Sequence, residues 1–179
     1  MATGTGKTTT SAAIIKMFLR LYKVNRILFL VDRLELETQA KKEINDILKN
    51  DFETVIWKEN QDDWRRAKIV ISTVQSFTRH NKYKRIFKSN SFDLVISDEA
   101  HRSLGASSRN VFEYFIGFKL GLTATPRDFL KSVNEDDMSM TDPKELERRL
   151  MLDTYSIFGC DDGEPTFRYS LLDGVKDGF

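Results

Sequence analysis

Four short apolar runs, separated by helix-length amphipathic stretches, constrain this 179-residue chain more than any other feature. They are Ile27-Leu28-Phe29-Leu30-Val31, Ile69-Val70-Ile71-Ser72-Thr73, Phe92-Asp93-Leu94-Val95-Ile96-Ser97 and Phe118-Lys119-Leu120-Gly121-Leu122. A strand that is apolar at nearly every position, without polar alternation, suits a sheet covered on both faces. Between the runs, Thr8 to Tyr22 carries Ala13, Ile14, Ile15, Met17, Phe18, Leu19 and Leu21 at helical spacing, and Leu34 to Leu48 does the same with Leu36, Ala40, Ile44, Ile47 and Leu48. A shorter helix is expected around Arg109 to Phe115 and a weaker strand over Phe52 to Trp57, with a polar turn from Gln61 to Arg66. Strands alternating with helices predict an α/β domain built on a parallel sheet with helices on both faces.

The polar clusters fall just past the carboxyl ends of these runs, the edge where open α/β sheets bind ligands. The chain begins Met1-Ala2-Thr3-Gly4-Thr5-Gly6-Lys7-Thr8, directly ahead of the first helix. Closely spaced glycines let a backbone approach a phosphate, successive N–H groups form an anion nest, and the helix N-terminus adds partial positive charge. In such a loop Gly4, Thr5, Gly6, Lys7 and Thr8 bind the nucleotide, Lys7 reaching the terminal phosphates and the Thr8 hydroxyl sitting on Mg2+. The full pattern G-x-x-x-x-G-K-[ST] has Met1 in place of its first glycine. Asp98 and Glu99 follow the third buried run. With a lysine loop present, Asp98 is the candidate to hold Mg2+ with Thr8, and Glu99 to orient or deprotonate the attacking water. His101 is a candidate for sensing the terminal phosphate, or for bridging to Thr123 or Thr125 in the Thr-Ala-Thr-Pro turn after the last run.

Other chemistries are not legible. Net charge is +1, so no bulk positive field marks the chain for nucleic acid and any such site must be local. The basic stretch from Arg79 to Lys88 is expected to be a solvated helix face. One cysteine, Cys160, rules out a disulfide framework within the chain and fits a reducing cytoplasm. No apolar run approaches the ~20 residues of a membrane span. Cys160 and His80 stand too far apart in the sequence to suggest a metal site, and no Ser-His-Asp or Cys-His arrangement is present. Toward the C-terminus, residues 134–140 read as an acidic loop, and Asp142-Pro143-Lys144-Glu145 opens a helix that would run to about Met151. Thr154 to Phe158 and Thr166 to Leu172 read as two strands around a turn-rich connection, a hairpin or an edge extension outside the alternating core.

The loop Ala2 to Thr8, Asp98-Glu99-Ala100-His101 and Gly121-Leu122-Thr123-Ala124-Thr125-Pro126 resemble motifs I, II and III of superfamily-two DEAD/DEAH-type helicases and translocases. Val31-Asp32-Arg33 with Leu36 and Gln39 resembles motif Ia, and Ser72-Thr73-Val74-Gln75-Ser76 the DNA-contacting motif after it. Within the superfamily, Leu30-Val31-Asp32-Arg33-Leu34-Glu35-Leu36 and the tail from Tyr155 to Phe179 resemble the restriction (R) subunit of type I restriction–modification enzymes. The resemblance implies the first RecA-like lobe of an ATP-driven motor on double-stranded DNA, acting with Mg2+ and with the modification and specificity subunits of such a complex. It implies Lys7, Asp98 and Glu99 as catalytic, Arg33, Thr73 and Gln75 near DNA, and His101, Thr123 and Thr125 as coupling residues. A motor lobe over residues 1–127 and an extension over 128–179 are expected. The family's lobe has a strand running into the phosphate loop, and none precedes Met1. The chain is therefore expected to be a fragment lacking its first strand, to bind ATP weakly and turn it over slowly alone, and to offer an unpaired sheet position for self-association. Two alternatives remain: a lobe of another superfamily-two enzyme, such as an RNA helicase or DNA-repair motor, and a non-catalytic DNA- or subunit-binding module.

Overall fold

The computed structural model describes residues 6–21, 23–49, 51–59, 63–100, 106–124, 154–160 and 164–178. Its centre is a five-stranded sheet, every described pair parallel, in the order β2-β3-β1-β4-β5. The strands are β1 (Ile27–Val31), β2 (Thr54–Ile56), β3 (Ile69–Thr73), β4 (Leu94–Asp98) and β5 (Phe118–Leu122). The helices are α1 (Lys7–Arg20), α2 (Leu34–Leu48), α3 (Val74–Thr78), α4 (Lys82–Ile86) and α5 (Ala106–Tyr114), with single 3-10 turns at Asp63–Arg65 and Arg79–Asn81. Each of the four apolar runs became a strand, and the sheet is the parallel one expected from them.

The two-residue period of a strand sorts the core into two halves. Ile27, Phe29 and Val31 of β1 join Ile69, Ile71 and Ile96 beneath α1 and α2. Leu28 and Leu30 of the same strand point the other way, into a cluster with Val70, Val95 and the helices α3, α4 and α5. The first half is mainly aliphatic around Phe29, with Ala12, Ile15 and Leu19 of α1 and Ala40, Ile44 and Leu48 of α2. The second is aromatic: Trp57, Trp64, Phe77, Tyr83, Phe87, Phe92 and Phe115 meet with ring centroids between 4.8 and 6.4 Å. Met17 and Leu21, apolar by type, are exposed on the outer side of α1.

Polar pins fix the amino ends of the strands. The backbone N–H groups of Asn25 and Arg26 donate to Asp93 Oδ2 at 2.7 and 3.0 Å, joining the approach to β1 with the approach to β4. The Arg26 guanidinium donates to the carbonyls of Ala67 and Trp64 and lies 5.0 Å from the centroid of Phe92. Burial pushes the Arg26 pKa down, and Asp93 partly restores it. At the same end Gly117 lets the α5–β5 turn press against β4. A Cβ there would stand 2.5 Å from the Asp93 carbonyl carbon and from the Phe92 carbonyl oxygen.

Several expectations need correction. Residues 154–158 and 166–172 form no hairpin: Thr154–Ile157 is a helical turn, α6, and Leu171–Lys176 is a short helix, α7. At α7 a capping box decides the outcome, since Ser170 Oγ accepts the Asp173 N–H while Asp173 Oδ2 accepts the Ser170 N–H. At α6 tertiary contact overrides β-propensity: Phe158 packs edge-on against Phe112 at 5.2 Å and lies over Gly121 of β5. The weaker strand is limited to Thr54–Ile56, and α5 begins earlier than expected, at Ala106. The basic stretch is broken by His80 and Asn81, both left-handed at φ 55 and 52, and does expose Arg79, Lys82, Lys84, Arg85 and Lys88, with Tyr83 and Phe87 turned inward. The acidic loop at 134–140, the helix at 142–151 and the boundary at 127 lie outside the described residues.

Two substitutions test this packing. Phe29→Ala, at a fully buried β1 position, should cost about 3–5 kcal/mol in urea unfolding. Gly117→Ala must displace backbone, not a side chain, and should cost at least ~1–3 kcal/mol. Gly121→Ala first meets the movable Phe158 ring and should cost less than Gly117→Ala in the same assay.

Candidate functional site

Parallel pairing brings the carboxyl ends of β3, β1, β4 and β5 to one edge. Thr73 is level with Val31, and Asp98 with Leu122, so the segments that follow emerge side by side at strand spacing of about 4.8 Å. Chain order reverses here: β2 and β3 lie on one side of β1, and β4 and β5 on the other. A crevice at such a reversal is where this class of sheet holds ligands.

Lys7 opens α1, and Gly6 caps it in the left-handed region at φ 80. Among the described residues a Cβ on Gly6 would touch only Thr9, at 3.8 Å, while the positive φ favours glycine on conformational grounds. Lys7 is 8% exposed, and its Nζ lies 3.3 Å from Glu99 Oε1. Thr8 follows on the same turn, half-buried. Across from them Asp98 ends β4, and Glu99 adopts φ +50, an unusual value for a residue with a Cβ. The Glu99 N–H donates to Asp98 Oδ1 at 3.0 Å, which locks the turn.

The electrostatics of this cluster are unbalanced. Burial pushes the Asp98 pKa up, and the neighbouring Glu99 carboxylate pushes it further. The Glu99 N–H and Lys7 pull it back, but the net shift is upward. Among the described residues Lys7 is the cation that lowers the Asp98 pKa, and further positive charge there would relieve Asp98. Among the described residues no group of three or more His, Cys, Asp or Glu side chains forms a metal cage. A Mg2+ ion, which commonly takes one or two carboxylates and completes its shell with water and substrate phosphates, fits that donor set.

The remaining predicted residues are distributed along the same edge. Arg33 caps α2, is two-thirds exposed in its side chain, and lies 3.5 Å from Asp32. Gln75 is exposed on α3. Thr73 is 2% exposed, and its hydroxyl is committed to capping α3: it accepts the Ser76 N–H at 3.1 Å and donates to Ser76 Oγ at 2.6 Å. Thr123, half-buried, follows β5. Gly4, Thr5, His101 and Thr125 lie outside the described residues.

One residue of this edge escaped the sequence reading. Glu37 of α2 is 5% exposed and accepts the Thr73 N–H at 2.7 Å. Its signal was available in the buried stripe of α2, Glu37, Ala40, Ile44 and Leu48, which repeats every three or four residues. A carboxylate in an apolar stripe is the informative member of that pattern.

Comparison with known proteins places these features in a family. The family model described as "Type III restriction enzyme, res subunit" matches residues 1–128. The type I restriction enzyme EcoAI endonuclease subunit of Escherichia coli is 33% identical over 190 residues, covering all of this chain and 20% of that protein. Among solved structures, a fragment of a chain assigned as an HsdR subunit of a type I restriction enzyme from Vibrio vulnificus YJ016 is 29% identical, with a TM-score of 0.60 over all of this chain and 27% of that one. The Sulfolobus solfataricus SWI2/SNF2 ATPase core in complex with dsDNA superposes with a TM-score of 0.62 at 14% identity, covering 92% of this chain and 35% of that one, and so shares the fold. The chain spans about a fifth of the length of the curated relative.

The upward shift at Asp98 carries a sign. The folded state prefers the protonated acid, so ionisation destabilises it above the folded pKa, and that cost fades as pH falls toward the unfolded value. Without divalent ions, Asp98→Asn should melt above the wild type at pH 7. The gap should close on acidification, as followed by circular dichroism at stepped pH.

Proposed function

From a chain that belongs to the family of type III restriction enzyme res subunits, we infer the nucleotide-binding lobe of an ATP-driven motor on double-stranded DNA, in an endonuclease subunit of the type I restriction class. One observation carries the reading: Lys7, at the start of α1, is held 3.3 Å from Glu99 beside Asp98, at the reversal point of the sheet. The resemblance to type I endonuclease subunits over the whole chain supports the choice of class.

In this reading Gly6, Lys7 and Thr8 take the triphosphate, with Gly4 and Thr5 completing the loop. The Lys7 ammonium would exchange its contact with Glu99 for a phosphate oxygen, and the Glu99 carboxylate would orient a water. Asp98 and the Thr8 hydroxyl would hold Mg2+, which supplies charge neutralisation on the phosphates when bound. Glu99 is then the acceptor of the water's proton. The left-handed turn and the hydrogen bond between Glu99 N–H and Asp98 keep the two acids in separate roles.

Arg33 and Gln75, exposed at the adjacent strand ends, are the side chains assigned to the DNA backbone, with Thr73 shaping the turn beneath them. Contacts of this kind give salt-sensitive, sequence-independent affinity. Thr123, with His101 and Thr125, is assigned to coupling nucleotide state to movement. The partners are the modification and specificity subunits, and the compartment the cytoplasm. Among the described residues no helix is long and apolar enough to cross a membrane.

Titration of the chain with a fluorescent ATP analogue and Mg2+ tests the lobe. Lys7→Ala should weaken binding about tenfold or more, a loss of ~1.4 kcal/mol, and equal affinities would overturn the reading. Glu99→Gln should keep nucleotide affinity while lowering any hydrolysis measured by phosphate release by about 10²-fold or more. Tighter binding to duplex RNA than to duplex DNA would favour an RNA helicase instead.

A further inference from the structure

The turns that follow β1 and β3 carry the exposed side chains assigned to DNA, and a single buried carboxylate joins them. We propose that Glu37 is a positioning residue for nucleic-acid engagement, clamping the first turns of α2 to the β3–α3 turn so that Arg33 and Gln75 keep a fixed spacing. The proposal rests on the motor reading above.

Glu37 lies one turn inside α2, whose cap is Arg33 itself. Its Oε1 accepts the N–H of Thr73 at 2.7 Å, the last residue of β3, which is in register with Val31. Thr73 in turn caps α3 through Ser76, and Gln75 is the exposed residue of that first turn. The path from Arg33 to Gln75 thus runs through a short helix turn, one hydrogen bond and one cap. No apolar residue could close it.

Energetics argue that stability alone does not explain the residue. The rest of the stripe is Ala40, Ile44 and Leu48, packed in the aliphatic half of the core. Burial disfavours the ionised carboxylate and pushes its pKa up; the Thr73 N–H and Lys58 offset this in part, and Glu59, itself 3.4 Å from Lys41, adds to it. A leucine would complete the stripe without that penalty, but would leave the Thr73 N–H without its carboxylate acceptor. What the acid adds is a directional link between two loops.

The test uses the full chain and a short fluorescein-labelled duplex at fixed salt, read by anisotropy, beside the nucleotide titration described above. Glu37→Leu and Glu37→Gln remove the same negative charge, which by electrostatics alone tightens DNA binding. Only Gln retains an oxygen to accept the Thr73 N–H. Glu37→Leu should weaken DNA binding about fivefold to tenfold, Glu37→Gln should match or exceed the wild type, and both should keep wild-type nucleotide affinity. Amide exchange at Thr73 should be faster in the Leu variant alone. Equal DNA affinity of the Leu and Gln variants, or parallel loss of nucleotide and DNA binding in the Leu variant, overturns the proposal while leaving the motor reading intact. If Glu37→Leu does not melt cooperatively, Glu37→Ala takes its place with the same outcomes. A wild type that binds nucleotide but no duplex DNA overturns the DNA assignment and this proposal with it.

Discussion

Parallel strands must be covered on both faces, and that requirement organises the molecule. β1 is buried along its whole length, so its five side chains split by parity into an aliphatic half under α1 and α2 and an aromatic half under α3, α4 and α5. A strand so enclosed has no lateral place for a charge. Polar chemistry is displaced to the strand ends, and the two ends are used differently. At the amino end Arg26, Asp93 and Gly117 tie strands to one another. At the carboxyl end Lys7, Asp98 and Glu99 meet.

That carboxyl-end cluster is not built for lowest energy. Asp98 is held in a position that penalises its own ionisation, Glu99 occupies a left-handed backbone conformation, and Lys7 is almost fully enclosed. Each feature costs stability in isolation. Together they set two neighbouring carboxylates beside a lysine at one strand end. The nucleotide and Mg2+ proposed above would offset these costs, and the family model spans the segments that carry all three residues.

Much of this was legible in the sequence, for identifiable reasons. Runs such as Ile27–Val31 can be little else than enclosed strands, and Gly6-Lys7-Thr8 with Asp98-Glu99 has few structural explanations. What was missed depended on contacts between distant segments. Glu37 looks like one more acid on a charged helix until Thr73 is placed 2.7 Å away. Nor does the sequence show that Thr73 is buried, with its hydroxyl capping α3. The C-terminal hairpin was expected from β-favouring residues, yet Ser170 with Asp173 and the packing of Phe158 on Phe112 favour helical turns. In each case a local pattern was outweighed by one long-range or capping interaction.

The burial of β5 changes along its length. Phe118 at its amino end is 63% exposed, while Leu122 at its carboxyl end is 8% exposed. The exposure belongs to the ring and not to the backbone: the Phe118 N–H donates to the Asp93 carbonyl at 2.8 Å, and Gly117 beside it fits closely against the Phe92 and Asp93 carbonyls. The register of β5 on β4, from Phe118 with Leu94 to Leu122 with Asp98, is therefore set by main-chain contacts at its outer end. The level at which β5 meets the acids is decided a full strand away from them.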